Sequence, residues 1–289
     1  MSTFVLKLLA MAAMLADHTG LMLLHCNSVG ARLYMLMRAV GRLAMPVFCY
    51  FIVVGHKNSR DRKKYLHRLC LFALISQMPY SLAFNHAAYY APCSGGLLLA
   101  WTDFTWIQWL LFAAVFLGLL IFFGKKALMP CAALIVLFVR ISVGRIELPG
   151  GNGNVFYDLA LGLAVIWFID TLKNSKVEIG KLLPAGFILI CAVLLIAPVG
   201  DYGWKALALI VPLFLCGENR WAMLGCLGLW CVAVYGNVPA TCMGALCSAV
   251  LLAFYNGKKG PRLKYMFYAF YPAHLALLWF LGRFIIIKS

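Results

Sequence analysis

A chain of 289 residues with 64% hydrophobic types, only 12% charged types and a mean hydropathy of +0.92 is far more apolar than the roughly 45–50% usual in soluble domains. That composition excludes a water-soluble globular fold. The net charge of +16 would suit a nucleic-acid binder, but the charges follow the breaks between apolar runs, so no nucleic-acid partner is expected.

In chain order, apolar runs fall roughly at 4–24, 34–55, 69–84, 104–123, 127–143, 155–172, 182–198, 203–216, 221–236, 240–255 and 265–287. Most approach the ~20 residues that cross a hydrocarbon layer of about 30 Å at 1.5 Å per residue. The expected fold class is all-α: a polytopic membrane protein of about eleven transmembrane helices, ten or eleven given the short runs, in a single domain over 1–289. Basic residues collect on alternate breaks. Lys57, Arg60, Arg62, Lys63, Lys64 and Arg68 fall on one side with Lys125, Lys126, Lys173, Lys176, Lys181, Arg220, Lys258, Lys259, Arg262 and Lys264, against Arg32, Arg145 and Lys288 on the other. This bias predicts a cytoplasmic N-terminus in a bacterial inner membrane and, for an odd number of crossings, an external C-terminus. The first run has no basic n-region and contains Asp17 and His18, so it reads as a retained helix and not a signal peptide. Most cysteines sit within apolar runs as small hydrophobes. Cys26 and Cys93 fall in outer loops, where an oxidising periplasm permits a disulfide.

Asp17, His18, Arg38, Arg42, Arg140, Asp158, His274 and Arg283 lie inside apolar runs. Each would cost roughly 2.5–3.5 kcal/mol at a helix centre if it faced lipid, so inward orientations are expected. Arg140 and Arg283 have snorkelling as a simpler account, and Asp158, near a helix start, has capping. Lys7 and His18 are eleven positions apart, which returns a helix to within about 20° of the same face and separates them by about 16 Å. That stripe suits an elongated donor with an anionic end in the cytoplasm and a reactive end within the membrane. Arg38 and Arg42 share a face, with Pro46 bending or breaking the helix a turn later. They serve either to bind an anion or to neutralise a buried carboxylate such as Asp17. The basic loop 56–68 reads either as a topology signal or as a phosphate site.

Six segments, KLLAMAAMLADHTGLML at 7–23, VGRLAMPVFCYFIVVG at 40–55, RDRKKYLHRLCLFALISQMPYSLAF at 60–84, GNVFYDLALGL at 153–163, DYGWKALAL at 201–209 and MFYAFYPAHLALL at 266–278, together resemble the TraX family, named for a membrane protein that N-acetylates F pilin. That family is similar to the wider transmembrane acyltransferases, whose O-acetyltransferases share a basic residue, ten intervening residues and a His in the first span; Lys7 and His18 match this spacing. The resemblance implies acetyl transfer from cytoplasmic acetyl-CoA to the N-terminal amine of a pilin subunit, with no metal. It implies His18 as general base and Asp17 as a positioning or charge-balancing residue. Arg38 and Arg42 would hold donor phosphates or stabilise an oxyanion. Lys7 with Lys63, Lys64 and Arg68 would hold the nucleotide end of the donor, and His274 would be a second catalytic or acceptor-site group. The alternatives are a cell-surface glycan or other envelope acceptor, a proton-coupled transporter using Asp17, His18 and His274 as a relay, and a noncatalytic factor escorting pilin. The absence of an internal repeat weighs against the transporter.

Overall fold

The computed structural model describes residues 1–24, 30–84, 97–101, 105–143, 146–148, 152–174, 179–261 and 264–287. Cys26, Cys93 and most of the outer segment 85–103 lie outside the described residues. Each expected apolar run holds helix. The helices are α1 (Thr3–Thr19), α2 (Ala31–Gly41), α3 (Ala44–Asn58), α4 (Arg62–Phe84), α5 (Trp106–Phe123) and α6 (Leu128–Phe138), then α7 (Val155–Asn174), α8 (Ile179–Ile196), α9 (Trp204–Leu215), α10 (Arg220–Tyr235), α11 (Pro239–Ala253) and α12 (Lys264–Ile287). Among the described residues, four helical stretches are long and apolar enough to cross a membrane: Thr3–Leu23, Ala31–Asn58, Trp106–Lys126 and Val155–Asn174. Five further apolar helices are shorter. In α5, Leu110, Leu117 and Ile121 are 62%, 58% and 82% exposed, a surface that only lipid or another apolar partner would cover without penalty. The chain is a membrane protein.

Two expectations are corrected locally. The run at 127–143 is not helical throughout: α6 stops at Phe138, and the alternating sequence VRISV continues as strand β2 (Val139–Val143). Strand β2 pairs antiparallel with β1 (Leu97–Trp101) and with β3 (Ile146–Leu148), Trp101 opposite Val139 and Val143 opposite Ile146. Arg140 is therefore in a small sheet and not in a transmembrane helix. The second correction concerns Pro46. The chain breaks at Arg42 and Leu43, before the proline, because its ring would clash with the carbonyl of residue 42 in a continuous helix; it is instead accommodated in the first turn of α3.

The chain divides into two compact units, Met1–Val53 with Ala208–Ser289, and Val54–Leu207. In the first unit, Ser2 caps α1 by accepting from the Val5 amide, while the Thr3 and Phe4 amides donate to the Lys258 and Lys259 carbonyls at 2.8 and 3.2 Å. These bonds satisfy donors that a helix start leaves open. A π-helical turn, Gly20–Leu24, continues α1. Helix α2 packs antiparallel on α1, with Gly20 against Met37 and Gly41 against Asp17. Helix α12 runs in the same direction as α1, Phe4 lying beside Phe267 and His18 beside His274.

A Cβ added at Gly41 would sit 2.2 Å from the Cβ of Asp17 and 2.5 Å from its carboxyl group. Only glycine permits this approach. Gly41→Ala is expected to force α1 and α2 apart and destabilise the protein by about 1–3 kcal/mol, read as a lowered thermal midpoint of the purified protein in detergent. An unchanged midpoint would show that the two helices are not held at this distance.

The second unit is joined through buried polar groups. Asn154 caps α7, its Oδ1 accepting from the Phe156 amide at 3.1 Å, while its Nδ2 donates to Gln77 Oε1 and the Ala73 carbonyl, both at 2.8 Å. Asp158, 1% exposed, accepts from the amides of Tyr202 and Gly203 at 2.8 and 3.0 Å. Its role is to hold the turn before α9, where Gly203 has φ +50°.

Candidate functional site

Neighbours on a helix point about 100° apart, and Asp17 and His18 accordingly meet different partners. Asp17 faces α2. Its Oδ1 lies 2.9 Å from Arg38 Nη1, and Arg42 Nη2 donates to both carboxylate oxygens at 2.7 and 2.6 Å. Arg42 is further fixed by its Nε bond to the Arg38 carbonyl at 3.4 Å and by the Tyr235 ring, 5.7 Å from its guanidinium carbon. Two guanidiniums on one carboxylate neutralise Asp17 and leave one positive charge in excess. The distances show the second reading of the arginine pair, a neutralised carboxylate; the anion-binding reading rests on the one charge left over.

His18 faces α12. Its Nδ1 lies 2.7 Å from His274 Nε2, with the two rings nearly parallel at 4°. His274 Nδ1 lies 2.8 Å from the Phe270 carbonyl, and the Phe270 ring stacks on the imidazole at 4.6 Å. Tyr271 presents an edge contact to both histidines. Both His18 and His274 are buried. One turn-spaced row on α12, Phe267, Tyr271 and His274, thus meets the stripe on α1 that was read from Lys7 and His18. At the start of that stripe, Lys7 Nζ lies 5.2 Å from the centre of the Phe51 ring and 5.4 Å from that of Phe267.

The remaining basic candidates belong to the second unit. Lys63 Nζ donates to the Phe122 carbonyl at 2.9 Å and lies 4.2 Å from the centre of that ring. Lys64 is exposed, its amide bound to Asp61. The Arg68 guanidinium carbon lies 5.4 Å from the centre of the Tyr65 ring. Sequence reasoning missed one cluster here: Asp170 Oδ2 accepts from Arg62 Nη2 at 2.7 Å and meets His56 Nε2 at 3.3 Å, and its Oδ1 accepts from Asn174 at 2.7 Å. Arg62 of the basic loop is thus committed to an internal carboxylate. The available signal was an acid inside an apolar run in a chain with only nine Asp and Glu residues.

Chemically, a buried imidazole with a second imidazole behind it can accept a proton. A fixed excess positive charge on the next residue's partners favours negative charge developing nearby. A family model described as TraX protein matches residues 2–144 and 146–282. The chain belongs to the TraX family. It is also similar to the probable fimbrial assembly protein FimC, serogroup H1, of Dichelobacter nodosus, at 28% identity over 96% of this chain and 94% of that protein. No solved structure matches. Of the six segments that resemble TraX proteins, those at 7–23, 40–55 and 266–278 supply Asp17, His18, Arg42, Phe51, Phe267 and His274 in the first unit. Those at 60–84, 153–163 and 201–209 supply Gln77, Asn154, Asp158 and Tyr202 in the second.

Proposed function

We propose that this TraX-family chain is a multi-pass inner-membrane acetyltransferase, moving an acetyl group from cytoplasmic acetyl-CoA to the N-terminal amine of a pilin subunit. The observation that carries the proposal is the buried His18–His274 bond, on a helix whose opposite end bears Lys7. His18 takes a proton from the acceptor amine as its nitrogen attacks the thioester carbonyl. A C–N bond forms, the C–S bond breaks, and the proton leaves with the thiolate as the free thiol. Asp17 holds Arg38 and Arg42, and the excess charge of that cluster stabilises the oxyanion; Arg42 is more fully engaged by Asp17, so Arg38 is the better donor to it. Lys7 is assigned to the donor's phosphates. Lys63, Lys64 and Arg68 lie on α4 in the second unit, and Lys64, exposed, is the one of the three best placed to meet a soluble anion.

A role in pilus or fimbrial assembly is supported by the family and by the fimbrial relative, which is why pilin is put ahead of an envelope glycan as acceptor. A second reading draws on the same histidine pair, as part of a proton relay in a transporter. Intact-mass measurement of pilin from cells with and without this protein separates them. The expected result is pilin one acetyl group heavier only when the protein is present. Pilin of unchanged mass, together with unchanged envelope glycan acetylation, would sink the acetyltransferase.

A further inference from the structure

The two hydrogen bonds through His274 have a direction. A carbonyl oxygen only accepts, so the 2.8 Å contact with Phe270 requires a proton on His274 Nδ1. With one proton per ring, His274 Nε2 then bears a lone pair, and the 2.7 Å contact to His18 Nδ1 requires the proton to lie on His18. The opposite arrangement would set the His274 Nδ1 lone pair against the carbonyl lone pairs. The basic lone pair of His18 is thereby placed on Nε2. His274 itself is held by Phe270 stacking at 4.6 Å and by the Tyr271 edge at 5.6 Å, so the acceptor it offers is fixed in place.

We infer that His274 is the positioning residue for His18: it selects the Nδ1–H tautomer, aims Nε2 as the base, and accepts a hydrogen bond that strengthens when His18 becomes an imidazolium. This rests on the reading of His18 as the proton acceptor, and it removes His274 from the role of a second, independent base. The logic is that of any base oriented by a third group behind it. When His18 has taken the acceptor's proton on Nε2, its Nδ1–H still points at His274 Nε2, so charge is shared without a net proton leaving the pair.

The tautomers are read by ¹⁵N NMR of protein with labelled histidines in detergent or nanodiscs, signals being assigned by comparison with His18→Gln and His274→Gln. Both rings are expected as Nδ1–H with a bare-nitrogen Nε2 signal. Glutamine at 274 places an amide oxygen near the position of Nε2, so His274→Gln should retain transfer within about tenfold and leave the His18 tautomer unchanged. His274→Phe keeps an aromatic ring on Phe270 and offers no acceptor. It should shift His18 toward Nε2–H and lower kcat by roughly 10²–10⁴, with little change in KM, since a wrong tautomer disables the base and not binding. A wild-type His18 protonated on Nε2 would overturn the inference, as would a His274→Phe variant with wild-type kcat. Should the wild-type protein transfer no acetyl group at all, the reading of the function fails while the wild-type NMR spectrum still decides the tautomers.

Discussion

Purified His18→Ala is expected to insert and fold as the wild type does, yet to lose acetyl transfer by about 10²–10⁴, the usual worth of a positioned general base. The imidazole lies in the interior of the first unit against α12 and adds nothing to the lipid-facing surface, so its removal leaves insertion unaffected. Loss of its ring also leaves His274 without the donor on its Nε2, a modest local cost. Initial rates with acetyl-CoA and an acceptor peptide bearing a free N-terminal amine measure the effect. Turnover at the wild-type rate would take His18 out of the chemistry and leave the histidine pair as a brace between α1 and α12.

Removing Asp17 should be the most damaging change to stability. Its side chain is 9% exposed, against 22% for Arg38 and 13% for Arg42. Asp17→Ala strands two guanidiniums in the interior with no counter-charge, and breaking such a buried group typically costs about 3–5 kcal/mol. The triple substitution Asp17→Ala, Arg38→Met, Arg42→Met should restore much of that loss, because uncharged side chains of similar length need no partner. It should not restore transfer, since the excess positive charge is gone. The two outcomes are read separately, as the thermal midpoint in one detergent and as the initial rate. A triple variant as unstable as Asp17→Ala would mean that packing around α2, and not charge, dominates at this position.

The helices were legible because hydropathy acts on each segment independently: every apolar run contains helix, and Asp17 facing away from the His18 stripe follows from 100° per residue alone. The end of α6 was not legible from hydropathy, because Val139, Ile141 and Val143 carry the apolar run on past Phe138. The signal lay in β-branched residues alternating with Arg140 and Ser142, a period of two. Pro46 was recognised as a breaker, but the break falls four residues earlier, where its ring acts. At the site, the Asp17–Arg42 ion pair could be guessed from two adjacent spans, whereas the His18–His274 bond joins residues 256 positions apart, and no local pattern contains it. Asp170 was missed for a related reason: its partners His56 and Arg62 lie over a hundred positions away.

The same separation dictates when the site comes into being. At roughly 5–20 residues per second of synthesis, His274 leaves the ribosome some tens of seconds after His18, and α1 spends that interval in the bilayer without the helix that covers its imidazole. Asp17 fares better, since its arginines emerge almost at once. On the function proposed above, the nascent protein passes through a stage in which the Asp17 cluster is already closed and His18 is not yet oriented. Transfer would then begin only once the final helix docks, and a chain ending before α12 would lack the group that orients its base.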